Sequence, residues 1–293
     1  MPARKILLIG KVGQVGWELR RTLAPLATVV CVDYPEVDLT EPDSIRKWVR
    51  DVQPQLVINA AAYTAVDKAE TESELAMKIN GVAPGLLAEE AKRLGAGLIH
   101  YSTDYVYDGA KGAAYVEEDV PNPLSAYGRS KLAGDQAIQQ VDGGYLIFRL
   151  CWVYGARGNN FLRTITRLAY ERETLRVVRD QEGCPTWSRM IAEATALVVQ
   201  QTGAGALREV KGIYHLSARG STSWHGFAEA IVARRPPDQR RCRQIEAIPA
   251  TEYPSPTRRP ANSVLDGEKL ARVFGLRLQD WQESLELVME ELP

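Results

Sequence analysis

Ile6-Leu7-Leu8-Ile9-Gly10-Lys11-Val12-Gly13-Gln14-Val15-Gly16 is the stretch on which the fold turns. Four successive apolar residues suit a strand covered on both faces, as in a parallel sheet flanked by helices. The run passes directly into Gly10, Gly13 and Gly16, then into the helical pattern Trp17-Glu18-Leu19-Arg20-Arg21-Thr22-Leu23. Glycines so placed permit a tight turn, let backbone N–H groups approach a pyrophosphate, and let the helix pack close to the strand. The helix N-terminus adds partial positive charge at the same spot. Such a turn can also be a plain connection. The next strand, Thr28-Val29-Val30-Cys31-Val32, tips the balance because it ends in Asp33. An acid about 20 residues beyond the glycines is where the ribose 2′-hydroxyl of NAD is held. Asp33 repels a 2′-phosphate, so NADH is favoured over NADPH, with Lys11 in the loop as a cation able to offset it.

Outward from this stretch the chain alternates. A helix is expected from about Pro42 to Asp51, then a strand Gln55-Leu56-Val57-Ile58-Asn59 that runs into Ala60-Ala61-Ala62-Tyr63-Thr64. Leu75, Ile79, Val82, Leu86, Leu87 and Leu94 recur at helical spacing and predict one long helix to about Leu94. Leu98-Ile99-His100-Tyr101 is a further strand, Tyr145-Leu146-Ile147-Phe148-Arg149-Leu150 another, and residues 108–126 form a long loop between them. Beyond Gly155 the alternation is less regular. The fold class is α/β, a Rossmann-type doubly wound parallel sheet with a smaller C-terminal α/β substrate-binding part. The expected division is 1–155 for the dinucleotide-binding part and 156–293 for the second, with segments free to interleave.

Composition excludes several classes. Of 293 residues, 36 are Lys or Arg and 37 Asp or Glu, so no global field favours nucleic acid or an anionic membrane. The four cysteines are scattered without a Cys-x-x-Cys pair, against structural zinc and a disulfide framework. No run approaches the length of a membrane span. A cytoplasmic location follows as the expectation. His100, His215 and His225 lack the mutual spacing of a metal site and read as packing or surface residues.

Chemistry gathers at Ser102-Thr103-Asp104 and at Tyr127-Gly128-Arg129-Ser130-Lys131. A tyrosine and a lysine four apart stand on one helix face. An ammonium beside a phenol favours the phenolate, so Lys131 is expected to draw the Tyr127 pKa down towards working pH. Tyr127 then serves as proton donor to a carbonyl, with Thr103 hydrogen-bonding the same oxygen. Alone, Tyr-x-x-x-Lys is a weak motif; the nucleotide-binding signature in front of it gives it weight.

Taken together, these residues resemble the extended short-chain dehydrogenase/reductase superfamily. Longer stretches narrow the resemblance: Gly10-Lys11-x-Gly13-Gln14-Val15-Gly16-Trp17-Glu18-Leu19, Asn59-Ala60-Ala61-Ala62-x-Thr64-Ala65-Val66-Asp67-Lys68-Ala69-Glu70, His100-Tyr101-Ser102-Thr103-Asp104-Tyr105-Val106 and Arg258-Arg259-Pro260-x-Asn262-Ser263 are similar to the dTDP-4-dehydrorhamnose reductase family. The similarity runs from Leu7 to about Trp281. It implies a Thr103/Tyr127/Lys131 triad and reduction of the C4 ketone of a dTDP-linked 6-deoxy-4-keto-hexose by NADH or NADPH. Implied cofactor contacts are Gly13, Gln14, Val15, Asp33, Asp38, Leu39, Ala62, Tyr63, Thr64, Tyr127 and Lys131. Implied substrate contacts are Thr103, Asp104 and Trp152. Members of the family that dimerise through magnesium supply a cluster of glutamates; Glu18 and Glu291 fit two of them, but Arg189 stands where the third is expected. A cation there repels a divalent metal, so no metal site is expected, and the chain is a monomer or homodimer. Two rivals remain: another extended reductase, epimerase or dehydratase on a different nucleotide sugar, and a non-catalytic NADP-binding regulatory subunit related to methionine adenosyltransferase beta. The second is expected to carry a damaged triad, and here Thr103, Tyr127 and Lys131 are all present.

Overall fold

The computed structural model describes residues 4–202 and 206–292. The chain begins with β1 (Lys5–Ile9), α1 (Gln14–Thr22), β2 (Thr28–Val32), α2 (Pro42–Val52) and β3 (Leu56–Asn59). Then come α3 (Ser73–Met77), a π turn (Lys78–Val82), α4 (Ala83–Arg93), β4 (Gly97–Thr103), α5 (Ala126–Val141) and β5 (Gly144–Leu150). The later half opens with β6 (Val153–Tyr154), α6 (Phe161–Glu171), β7 (Thr174–Val178), β8 (Glu182–Gly183), β9 (Thr186–Trp187) and α7 (Ser188–Thr202). It continues with β10 (Gly212–His215), β11 (Thr222–Ser223), α8 (Trp224–Ala233), β12 (Gln244–Ile248), α9 (Glu268–Phe274) and α10 (Trp281–Met289).

Six strands, all parallel, form the central sheet in the order β2-β1-β3-β4-β5-β10. The apolar residues of β1 alternate between its two faces. Ile6 and Leu8 pack towards Leu19 of α1, Leu23 just beyond it, and Ile191 and Val198 of α7. Leu7 and Ile9 pack towards Ile45 and Val49 of α2, Leu87 of α4 and Ile138 of α5. Each such fully buried aliphatic contributes about 1.5–3 kcal/mol relative to exposure. Winding reverses between β1 and β3, and an open α/β sheet of this order binds ligands at that switch point, outside the carboxyl ends of the strands. The glycine turn after β1 and the alanine segment after β3 meet there.

A second lobe builds its own core from Leu162 and Ile165 of α6, Phe227 and Ile231 of α8, and Trp281 and Leu285 of α10. The two halves interleave, since α7 and β10 come from the later half yet pack with the sheet. Among the described residues no helix is long and apolar enough to cross a membrane.

The long helix expected to Leu94 differs in phase. The π turn adds a residue per turn between α3 and α4, which rotates the buried stripe. Leu75 and Val82 therefore face out, and Ala76, Asn80, Ala83 and Leu87 face in. Asn80 is buried and accepts from the Tyr63 N–H (2.9 Å) while donating to the Tyr63 carbonyl (3.0 Å) and Ser130 Oγ (3.0 Å), pinning the segment after β3 to α5.

Candidate active site

The glycine turn is shaped by contact. Gly10 has φ of 92°, in the left-handed region, and a Cβ there would lie 2.5 Å from the Ala61 nitrogen. A Cβ on Gly16 would lie 1.9 Å from the Gly10 carbonyl oxygen. Gly10 thus opens the turn and Gly16 lets α1 close onto it. The first N–H groups of a helix have no intrahelical partner, and α1 starts here with Gly13 as its cap. From the second half Asn160 reaches over to donate to Gln14 Oε1 (2.8 Å). Asp33 sits at the end of β2, its Oδ2 accepting from the Val12 N–H and its Oδ1 from the Tyr34 N–H, both at 2.9 Å. Lys11 is paired with Glu36 at 2.5 Å.

One cleft of about 630 Å³ runs from this turn to the ends of β4 and β5. Of the residues expected to hold the cofactor, Gly10, Gly13, Gln14, Val15, Asp33, Ala62 and Thr64 line it. So do Thr103, Asp104, Tyr127, Lys131 and Trp152. Gly16, Asp38, Leu39 and Tyr63 are not among its described walls. Gly16 serves packing; Asp38 Oδ1 accepts from the Thr40 N–H (2.8 Å) and hydroxyl (2.7 Å). Leu39 packs against the core under α2, and the Tyr63 hydroxyl donates to Glu72 (2.6 Å).

At the β4–β5 end of the cleft the structure corrects one expectation. The Tyr127 phenol is not drawn down by Lys131. Burial pushes it up to about 12, opposed by a hydrogen bond with Thr103. The lysine head group is engaged elsewhere: Nζ donates to the Tyr101 carbonyl at 2.6 Å and lies 3.2 Å from His100 Nε2. Burial lowers Lys131 itself to about 8, with Asp135 one turn along α5 acting the other way. Thr103 Oγ1 donates to Asp104 Oδ1 (3.0 Å) and accepts from the Tyr105 N–H (3.2 Å). Burial raises Asp104 to about 6, against hydrogen bonds from Ser263, Thr103 and Cys151. His100, expected to be a packing or surface residue, is buried beside the lysine.

Trp152 sits where β5 leaves the sheet, with φ of 43°, a conformation that a bulky residue adopts only when its surroundings hold it there. Trp224 at the start of α8 stacks on it, ring centroids 3.5 Å apart and 7° from parallel, and Gly183 packs against the same indole. Trp224 lines the cleft, as do Tyr105 and Asn159. No spacing signal links Trp224 to the cleft in the sequence. Arg259 of the 258–263 loop donates to Asp67 Oδ1 (2.9 Å) and Ser255 Oγ (2.5 Å), clasping that loop to the segment after β3.

A separate hollow holds Glu18, Arg189 and Glu291. The Arg189 guanidinium lies between the two carboxylates, 3.5 Å from Glu18 and in contact with Glu291. Among the described residues no three His, Cys, Asp or Glu side chains converge as a metal cluster.

This arrangement has close counterparts. The chain matches the family described as RmlD substrate binding domain over residues 4–293. It is 48% identical to the dTDP-4-dehydrorhamnose reductase of Burkholderia thailandensis, across 98% of this chain and 99% of that one. It is 43% identical to the dTDP-4-dehydrorhamnose reductase of Escherichia coli K12, across 98% and 97%. The crystal structure of dTDP-4-dehydrorhamnose reductase from Bacillus anthracis in complex with NADP superposes with a TM-score of 0.91 at 32% identity, covering 99% of this chain and 100% of that one.

Proposed function

We infer the chemistry of the cleft from one premise: the chain belongs to the RmlD substrate binding domain family. Its reaction is the reduction of dTDP-4-dehydro-L-rhamnose at the C4 ketone to dTDP-L-rhamnose, with NAD(P)H as reductant. The observation that carries the residue assignments is that Thr103, Tyr127 and Lys131 line the same cleft as the glycine turn.

The residues present fit a dinucleotide, because the turn at Gly10 and Gly16 has room only for backbone. Gly10, Gly13, Gln14 and Val15 hold its pyrophosphate end, and Ala62 and Thr64 flank it across the switch point. When bound, the reduced nicotinamide supplies the hydride. Tyr127, protonated across the neutral range, gives its proton to the C4 oxygen as charge develops there. Thr103 hydrogen-bonds that oxygen, and Asp104 and Trp152 position the sugar. Gly16 shapes the turn from behind, while Asp38, Leu39 and Tyr63 support the walls. The dinucleotide-binding part, expected over 1–155, takes in α7 and β10 as well. The four free cysteines suit a reducing, cytoplasmic setting.

Magnesium does not fit. The Arg189 guanidinium is paired with both Glu18 and Glu291, and a divalent ion among them meets its positive charge.

Turnover of enzymatically generated dTDP-4-dehydro-L-rhamnose, followed as loss of reduced-nicotinamide absorbance with product identified as dTDP-L-rhamnose, tests this reading. Cofactor binding without turnover would overturn it. NADH is the preferred reductant on the strength of Asp33, since Glu36 takes up the nearby Lys11 charge. Asp33→Ala is expected to narrow the ratio of kcat/KM for NADH over NADPH by about tenfold, the size of one lost hydrogen bond to a charged group. An unchanged ratio means the 2′ position is read by other residues.

A further inference from the structure

A buried chain of polar groups leads away from Lys131 into the sheet. Nζ lies 3.2 Å from His100 Nε2, and His100 Nδ1 lies 3.2 Å from Asn59 Nδ2. The Asn59 Oδ1 accepts from the Ala61 N–H at 3.2 Å. Asn59, His100 and Lys131 are each 1% exposed, and Asn59 and His100 are register partners on β3 and β4.

The hydrogens can be placed along this chain. A backbone N–H is always a donor, so the Ala61 contact fixes which end of the Asn59 amide is oxygen. The amide nitrogen therefore faces His100 Nδ1, which must accept. A neutral imidazole that accepts at Nδ1 carries its proton at Nε2, the atom facing Lys131. An ammonium has no lone pair to receive that proton; a neutral amine has one.

We propose that His100, held in its Nε2–H tautomer by Asn59, is a positioning residue that stabilises Lys131 as a neutral amine once the lysine has given its proton to Tyr127. This rests on the reading of Tyr127 as proton donor. The balance is closed. The Tyr127 O–H bond breaks as its proton passes to the C4 oxygen. A Lys131 N–H proton then passes to the tyrosinate across the cleft that both side chains line, and the amine's lone pair takes the hydrogen bond from His100 Nε2–H. Solvent entering that cleft later returns a proton to Nζ. Burial of Lys131 and of His100, which keeps the imidazole neutral, acts in the same direction. The charged group facing this pair is Asp135 on α5, itself held by Arg149 of β5; Tyr127 is the titratable neighbour on α5, and Asp104, just past β4, acts on that tyrosine.

Nitrogen-15 NMR of histidine-labelled enzyme, free and loaded with NADP+, reads the tautomer directly. A neutral Nε2–H tautomer for His100 between about pH 7 and 9 is expected, and an Nδ1–H tautomer or an imidazolium overturns the proposal. This readout needs no turnover, so it stands apart from the reductase assay: absent turnover in the wild type defeats the reading, whereas normal turnover with the wrong tautomer defeats only the role of His100. In His100→Gln an amide oxygen can turn to the ammonium and favour the charged lysine. The alkaline limb of the kcat profile is then expected to move up by about one pH unit, with KM for the cofactor little changed. A uniform fall in kcat with the limb unmoved marks His100 as structural only.

Discussion

Tyr127→Phe is expected to lower kcat by about 10²–10⁴-fold while leaving cofactor affinity essentially unchanged. The substitution removes one hydroxyl and keeps the ring, whose edge packs on Tyr105 with centroids 5.7 Å apart at 76°. The fold therefore has no reason to move, and the lost group is a hydroxyl that Thr103 already touches. Burial holds the phenol near 12, so it does not ionise at working pH and is always in the form that can donate. The developing alkoxide at C4 is a stronger base than a tyrosinate of that pKa, and the transfer runs downhill as hydride arrives. Single-turnover kinetics with reduced cofactor, alongside cofactor binding followed by fluorescence, separates the two quantities. Turnover retained in Tyr127→Phe would take the proton-donor role away from this residue, whatever happened to binding.

The difference between the expected and the observed state of Tyr127 shows where the sequence stops being legible. Spacing of four on a helix places Tyr127 and Lys131 on one face, and the structure keeps them in one cleft. What spacing cannot give is the direction of a four-carbon side chain. That is decided by the Tyr101 carbonyl and by His100, partners on β4 some 30 residues earlier that only the sheet brings alongside.

The glycine turn was legible because its constraint is local: a φ of 92° at Gly10 and a backbone contact at Gly16 depend on residues within one turn of chain. The same holds for Asp33 at its strand end. Trp224 was not legible, because its stacking on Trp152 joins segments with no shared periodicity. Nor was the outward turn of Leu75 and Val82, since one inserted π turn shifts the phase of an otherwise regular apolar repeat. Local geometry travels in the sequence; side-chain direction and inter-lobe contact are set by tertiary packing.

Arg149→Met is expected to cost about 3–5 kcal/mol of stability, because it leaves a buried carboxylate without its counter-charge. Arg149 Nε and Nη2 each approach Asp135 Oδ2 at 3.3 Å, and Nη1 donates to the Tyr107 hydroxyl at 2.7 Å. Asp135 is 0% exposed. Ser102 donates to the same Oδ2 while Oδ1 has no partner, and the cation that remains, Lys131 one turn back on α5, acts on Asp135 less strongly than Arg149 does. Burial raises the Asp135 pKa, and Arg149 is the largest influence holding it down. A carboxyl whose folded pKa is raised weakens the fold as pH climbs from its unfolded value through the folded one. Without Arg149 that window widens upward. The deficit in Tm is therefore expected to be largest at neutral pH and to shrink as pH falls below about 4, where Asp135 becomes protonated in both states. Pairing the change with Asp135→Asn removes the stranded charge and should recover part of the loss. Thermal unfolding of wild type, single and double variants across pH checks this. A deficit that is the same at every pH would assign the loss to the packing of the arginine stem and its contact with Tyr107, and not to the charge it neutralises.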